Sequence, residues 1–134
     1  MKIYFDYEKL KVYQLSLEFI RLVDQILTHQ PKKTCASDNS DRASTSITLN
    51  ISEGNGKYSS KDRCDFFDIS RGPALESASC LDILLIKKLI SDEVQTRGKE
   101  LLHQIVSMIV GLIKSNSDRI HEPDFEYESI NIES

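Results

Sequence analysis

Apolar residues recur at helical spacing along four stretches of the chain, and no stretch reads convincingly as a strand. The first stretch predicts a helix over about 7–28. Leu10, Tyr13, Leu17, Ile20, Val23 and Leu27 form one stripe on it, and Val12, Leu15, Phe19, Leu22 and Ile26 form a second. That arc is wider than a simple surface helix needs, so the helix is either central or partly buried against another subunit. Pro31 ends it, because proline cannot continue a helix without losing a hydrogen bond. A second helix is expected from Ser37 or Asp38 to Gly54, with Ser37, Asp38 and Ser40 as candidate N-caps and Gly54-Asn55-Gly56 as the stop. The third runs from Ser59 or Ser60 to about Lys88 or Ile90. Its buried stripe is Phe66, Phe67, Ser70, Ala74, Ser77, Leu81, Leu84 and Leu85, and Gly72-Pro73 in its middle predicts a bend over 69–73. The fourth opens at Ser91 or Asp92 and runs to about Ser115, with Leu101, Leu102, Ile105, Met108, Ile109 and Leu112 turned inward.

Four helices with short connections predict an all-α, antiparallel up-down four-helix bundle over residues 1–117. The second helix is read as the short one, leaving one bundle face open near its end. The periodicity fails beyond Ser117, and residues 118–134 read as an acidic C-terminal tail with Pro123 and scattered Phe125, Tyr127, Ile130 and Ile132. Such a tail is expected to be disordered, or ordered only against a neighbour.

Composition narrows the function classes. A chain of 134 residues with 40% hydrophobic and 28% charged side chains fits one globular domain. No apolar run approaches the roughly 18 residues of a membrane span, and the polar Met1–Asp6 start is no signal peptide, so a cytoplasmic protein is expected. Three dispersed cysteines, Cys35, Cys64 and Cys80, make no disulfide framework. The formal charge of -4 divides as +2 over residues 1–34, -2 over 35–100 and -4 over 101–134. Dedicated nucleic-acid binders carry a basic surplus, which this chain lacks overall.

The richest stretch is Arg42 to Gly54. Ala43, Ile47, Ile51 and Gly54 form an apolar stripe, and Arg42, Ser46, Asn50 and Glu53 run beside it at the same spacing. With Arg71 and Glu76 on the facing helix they are read as a structural polar network in which Glu76 pairs with Arg42 and Asn50 bridges helices. The sharper alternative is a binding surface for a ligand or nucleic acid. Catalysis has little support, since two carboxylates and two arginines give no acid–base or nucleophile–base arrangement by themselves. A second cluster, Lys57, Tyr58, Lys61 and Arg63, lies at the turn between the second and third helices. It reads as a solvated helix start, or as phosphate contacts from the cations with Tyr58 stacking on a base. His29, His103 and His121 share no ligand spacing, and Gly54-Asn55-Gly56-Lys57 follows a helix and not a strand, so no metal and no cofactor are expected.

Three ordered motifs carry a resemblance. Phe5 with Leu10-Lys11-Val12-Tyr13-Gln14, the Arg42-Ala43/Ser46-Ile47/Asn50-Ile51/Glu53-Gly54 series, and Phe67-Asp68-Ile69-Ser70-Arg71-Gly72-Pro73-Ala74-Leu75-Glu76 resemble the four-helix-bundle proteins encoded in intervening sequences of bacterial large-subunit ribosomal RNA genes. The likeness covers about residues 5–115. Pro73 departs from the serine usual there, Ser52 and Ser70 from alanine, and the segment from Pro31 to Arg42 is shorter than usual. The resemblance implies the bundle and a homo-oligomer, with five subunits the expected number. The family's molecular role is unsettled. A distantly similar group accompanies the reverse transcriptase of diversity-generating retroelements and is regarded as binding nucleic acid, but that group is strongly basic. The resulting expectation is a non-enzymatic oligomeric scaffold or recruitment protein, with a nucleic-acid-associated accessory protein as the alternative.

Overall fold

A computed structural model of the chain describes residues 2–120, with side chains through Asp118. A short 3-10 turn, Asp6–Lys9, precedes four helices: α1 Lys11–Thr28, α2 Cys35–Gly56, α3 Ser60–Ile86 and α4 Asp92–Ile120. Each helix packs on its neighbours in chain order, and α4 closes the ring against α1. The connections are short, so successive helices run antiparallel and the architecture is the up-down bundle. The described residues contain no strand. No helix among them is long and apolar enough to cross a membrane. The rest of the acidic segment, 121–134, lies outside the described residues.

The largest buried side chains come from all four helices: Phe19, Ile47, Ile51, Phe67, Leu81, Leu84, Ile105 and Ile109. Both stripes of α1 are largely used within one subunit. Val12, Leu15, Phe19, Leu22, Val23 and Ile26 are buried, while Leu10, Tyr13 and Leu27 pack at the core's edge and Leu17 is the exposed exception. Other uncovered large apolar side chains sit on α2 and α3, at Leu49, Ile69, Leu75, Ile83 and Ile86, and before the first turn, at Ile3, Tyr4 and Phe5.

Five helix ends differ from the sequence expectation. α1 opens at Lys11 and not near residue 7, and α4 runs to Ile120, past the expected end near Ser115 and into the segment read as a tail from 118. α2 opens at Cys35, because Thr34 is its N-cap. The Thr34 hydroxyl accepts from the Ser37 amide at 3.1 Å, and the Thr34 amide donates to the Ser37 hydroxyl at 2.8 Å. Ser37 is therefore the reciprocal partner three residues in, and Ser40 bonds back to the Ala36 carbonyl. With 22 residues against 18 in α1, α2 is not the short helix. At its other end Gly54 is not the stop. The helix runs on to Gly56, and a Cβ on Gly54 would stand 2.9 Å from the Phe66 Cβ and the Phe67 ring. That glycine allows α2 and α3 to approach closely. α3 continues unbroken through Pro73 and stops at Ile86. Lys88 takes a left-handed φ of 62°, and the Leu89 and Lys88 amides close on the Leu84 and Leu85 carbonyls. This is the glycine-type helix ending, made here by a lysine.

Candidate functional site

The 3.6-residue period of α2 divides the Arg42–Gly54 stretch by burial. Ala43, Ile47, Ile51 and Gly54 face the core, whereas Arg42 and Glu53 are exposed and Ser46 and Asn50 are half-buried. Arg42 Nη2 donates to Glu76 Oε2 on α3 at 2.9 Å and to Asn39 Oδ1 at 3.0 Å. The two charged side chains remain 65% and 37% exposed, so this is a surface pair and not a buried one. Asn50 does not bridge helices: its amide donates to the Ser46 carbonyl at 2.9 Å and the Ser46 hydroxyl at 3.1 Å, both on α2. Arg71 pairs with Asp68 on α3 at 3.2 Å. Among the named residues only Arg42 and Glu76 meet across the helices.

What these residues share is an edge. Arg42, Ser46, Leu49 and Glu53 follow one another at helical spacing on α2. The antiparallel register set by Arg42–Glu76 places Leu49 and Ile69, each seven residues further along, at the same level of the α2–α3 seam. Leu49 is 57% exposed and Ile69 53%. Gly72 lies between Ile69 and Glu76 with nothing near the position a Cβ would take. The seam is thus an exposed apolar pair flanked by charge and small polar side chains.

The turn cluster separates into two kinds of residue. Tyr58 is 71% exposed. Lys61 pairs with Asp65 at 3.1 Å, and Lys57 Nζ sits 4.6 Å from the centre of the Phe66 ring. Arg63 departs from the sequence expectation of an exposed phosphate contact: it is only 7% exposed. Its Nη1 donates to the Asn55 carbonyl at 2.6 Å, Nη2 to Asn55 Oδ1 at 3.2 Å, and Nε to Asn116 Oδ1 at 3.1 Å. Asn116 donates in turn to the Leu112 carbonyl, and Asn55 to Asp6 Oδ2 at 3.1 Å. One guanidinium so ties the end of α2, the start of α3, the last turns of α4 and, through Asn55, the N-terminal turn. Sequence reading missed Asn55 and Asn116. Asn55 sits between two glycines and reads as a loop signal, whereas Asn116 continues the inward spacing of Ile105, Ile109 and Leu112 by four residues, a signal its polarity hides.

An open groove of about 680 Å³ lies between α3 and α4. Ala74, Ala78, Leu102 and Val106 supply its apolar lining, and Lys99 and His103 stand among its polar residues. Asp82, on the α3 side, accepts from Lys99 and from Gln95 at 2.9 Å each. The Lys99 hydrogen bond holds the Asp82 carboxyl below the usual carboxylate range, against the opposing effect of desolvation and with help from Gln95 and the Lys99 charge. Half-buried Cys64 donates to the Ile113 carbonyl at 3.5 Å, beside the Ser117 hydroxyl. Among the described residues no group of three or more His, Cys, Asp or Glu side chains is placed to hold a metal ion.

The sequence model described as 23S rRNA-intervening sequence protein matches residues 8–111, a span that includes both motif stretches of α2 and α3. Among solved structures, the chain is similar to a protein of unknown function from the S23 ribosomal protein family of Bacteroides thetaiotaomicron. The two share 27% identity with a TM-score of 0.71, over 77% of this chain and 98% of the other. None of the curated proteins compared with the chain matches it. Four antiparallel helices and a match across most of the described residues make the assignment: the chain belongs to the 23S rRNA-intervening sequence protein family.

Proposed function

We propose that the protein is a non-enzymatic, cytoplasmic scaffold that assembles as a closed homo-oligomer and recruits a protein partner. The observation that carries this reading is the α2–α3 seam, where exposed Leu49 and Ile69 lie beside the Arg42–Glu76 pair. Apolar side chains grouped on a surface and rimmed by polar ones mark interfaces. Cyclic symmetry would repeat the seam around a ring, for which five copies is the number the family resemblance implies. Light scattering across micromolar concentrations is the test. A multiple of the 15.3 kDa chain mass is expected. Leu49→Glu with Ile69→Glu should lower that mass while leaving helix content unchanged, and a wild-type monomer would refute the assembly.

Exposed Tyr58 between Lys57 and Lys61 favours a second reading, in which the turn end of each copy contributes a weak contact to RNA. Sequencing RNA recovered with the purified protein would test it, with enrichment over the Lys57→Glu, Lys61→Glu form as the supporting result.

A further inference from the structure

Residues 2–5 stand off the bundle with their apolar side chains uncovered. Ile3 is 50% exposed, Tyr4 73% and Phe5 64%. The segment is nevertheless held in place. Glu8 Oε2 accepts from the Tyr4 amide at 2.9 Å and from the Phe5 amide at 2.6 Å, and the Phe5 ring stacks on Tyr7 with centres 5.9 Å apart. Lys2 stands at the tip, its ammonium 5.7 Å from the centre of the Tyr4 ring. Consecutive large apolar side chains presented with a cation mark a contact surface.

The α3–α4 groove has the complementary character. Ala74, Ala78, Leu102 and Val106 line it, and Leu75 beside them is 62% exposed. Its formally charged residues are Lys99 and Glu100. Asp82 takes Lys99, whereas Glu100 is exposed and enters no ion pair among the described residues. The groove therefore fits an apolar segment that brings a cation with it.

The N-terminal segment cannot enter the groove of its own copy. The hydrogen bonds that link Asp6, Asn55, Arg63 and Asn116 set the first turn level with the last turns of α4. From Asn116 the near end of the groove at Val106 is about 15 Å along α4, and the far end at Gln95 about 32 Å. Ile3 lies three residues from Asp6, about 10 Å when fully extended, and the first turn packs on α1 and α2, across the bundle from the groove.

We propose that residues 2–5 of one copy dock in the α3–α4 groove of a second copy, with Ile3, Tyr4 and Phe5 on the apolar lining and Lys2 beside Glu100. The contact rests on the homo-oligomeric reading above and names the segment and the surface that meet. Leu49 lies about 9 Å along α2 from Asn55, the partner of Asp6, so the segment and the α2–α3 seam lie together towards one end of α2. They belong to one face of a subunit and the groove to another. Two different faces make a heterologous contact, the kind that closes rings larger than a dimer.

Photo-cross-linking tests the proposal. An isotopically light chain carries p-benzoylphenylalanine in place of Tyr4, which keeps an aromatic ring there, and is refolded with an excess of heavy wild-type chain. The expected adducts join position 4 to residues 74–78 or 99–106 of a heavy chain. Adducts confined to light chains would overturn docking on a second copy. Adducts elsewhere on the heavy chain, or none, from protein that light scattering shows to be oligomeric would overturn the groove assignment and leave the assembly standing. A monomer at micromolar concentration would remove both. Charge exchange gives a second readout at two exposed positions. Lys2→Glu and Glu100→Lys should each shift assembly to higher protein concentration, and the two together should restore the wild-type dependence. No shift in either single variant, or a double variant weaker than both, would contradict the proposal.

Discussion

Two arginines show how differently the same residue type is used. Arg42 lies in the most patterned motif of the chain, and in the buried or half-buried pair with Glu76 that the sequence predicts, removal of either partner alone would cost about 3–5 kcal/mol. Its exposure places it with surface ion pairs, which contribute about 0–1 kcal/mol. Arg63 stands in a charged run at a helix start and reads as solvated, yet its guanidinium is buried among Asn55 and Asn116. Periodicity assigns a side chain to a face but does not say whether a long one near a helix end turns inward to cap its neighbours. Arg63→Met should therefore cost about 3 kcal/mol, as it strands the acceptors of Asn55 and Asn116, whereas Arg42→Ala should cost under about 1 kcal/mol. Urea unfolding of both variants measures the difference, and equal losses would contradict this account. Asp82 supplies the pH dependence. Its folded-state pKa is lowered, so its contribution is present above the unfolded value near 3.9 and is lost as pH falls through the folded value. Asp82→Asn should show a shallower loss of stability below about pH 4 than the parent chain, and parallel acid curves would rule the linkage out.

At the scale of elements, all four helices and their order are legible, because each carries an apolar stripe longer than two turns and the breaks between them hold Pro31, Gly56 and the Ser91-Asp92 helix start. The ends are less legible because they depend on single hydrogen bonds. Thr34 outcompetes the serines after it as the cap of α2, and nothing in the composition of Lys87-Lys88 announces a left-handed residue. Glycine misleads in the opposite direction: Gly54 resembles a terminator and is in fact a contact surface for Phe66 and Phe67. Two substitutions separate these uses. Gly54→Ala should destabilise by about 1–3 kcal/mol, since the new methyl meets the Phe66 Cβ and the Phe67 ring with no room to retreat. Lys88→Gly should stabilise by about 1 kcal/mol, because it removes the left-handed strain and leaves both closing hydrogen bonds in place. Thermal melts that moved in the same direction for both would show that the two positions are not used as described.

For the whole molecule, charge decides what an assembled ring can hold. The overall balance of -4 argues against long-range steering toward phosphate, but residues 1–120 are close to neutral, and the lysines nearest the exposed Tyr58 are Lys57 and Lys61. Both lysines already have partners, Phe66 and Asp65, so each phosphate contact must displace or share one. On the proposed RNA reading, one copy should therefore bind single-stranded RNA poorly. Several copies linked in the proposed ring would act at high effective concentration on the same strand, so that weak sites add up to measurable retention. Two lysines per copy set the salt law: the slope of log affinity against log salt should be about -1.4 for each copy engaged, so that binding is lost by moderate ionic strength and shows no sequence preference. Lys57→Glu with Lys61→Glu should abolish retention in a filter assay while light scattering returns an unchanged mass. With Arg63 buried, Arg63→Met should alter stability far more than the salt slope. Tight, sequence-selective binding that survived both high salt and the double substitution would place the RNA contact on another face, and would weigh against the view that this protein works chiefly by gathering other proteins.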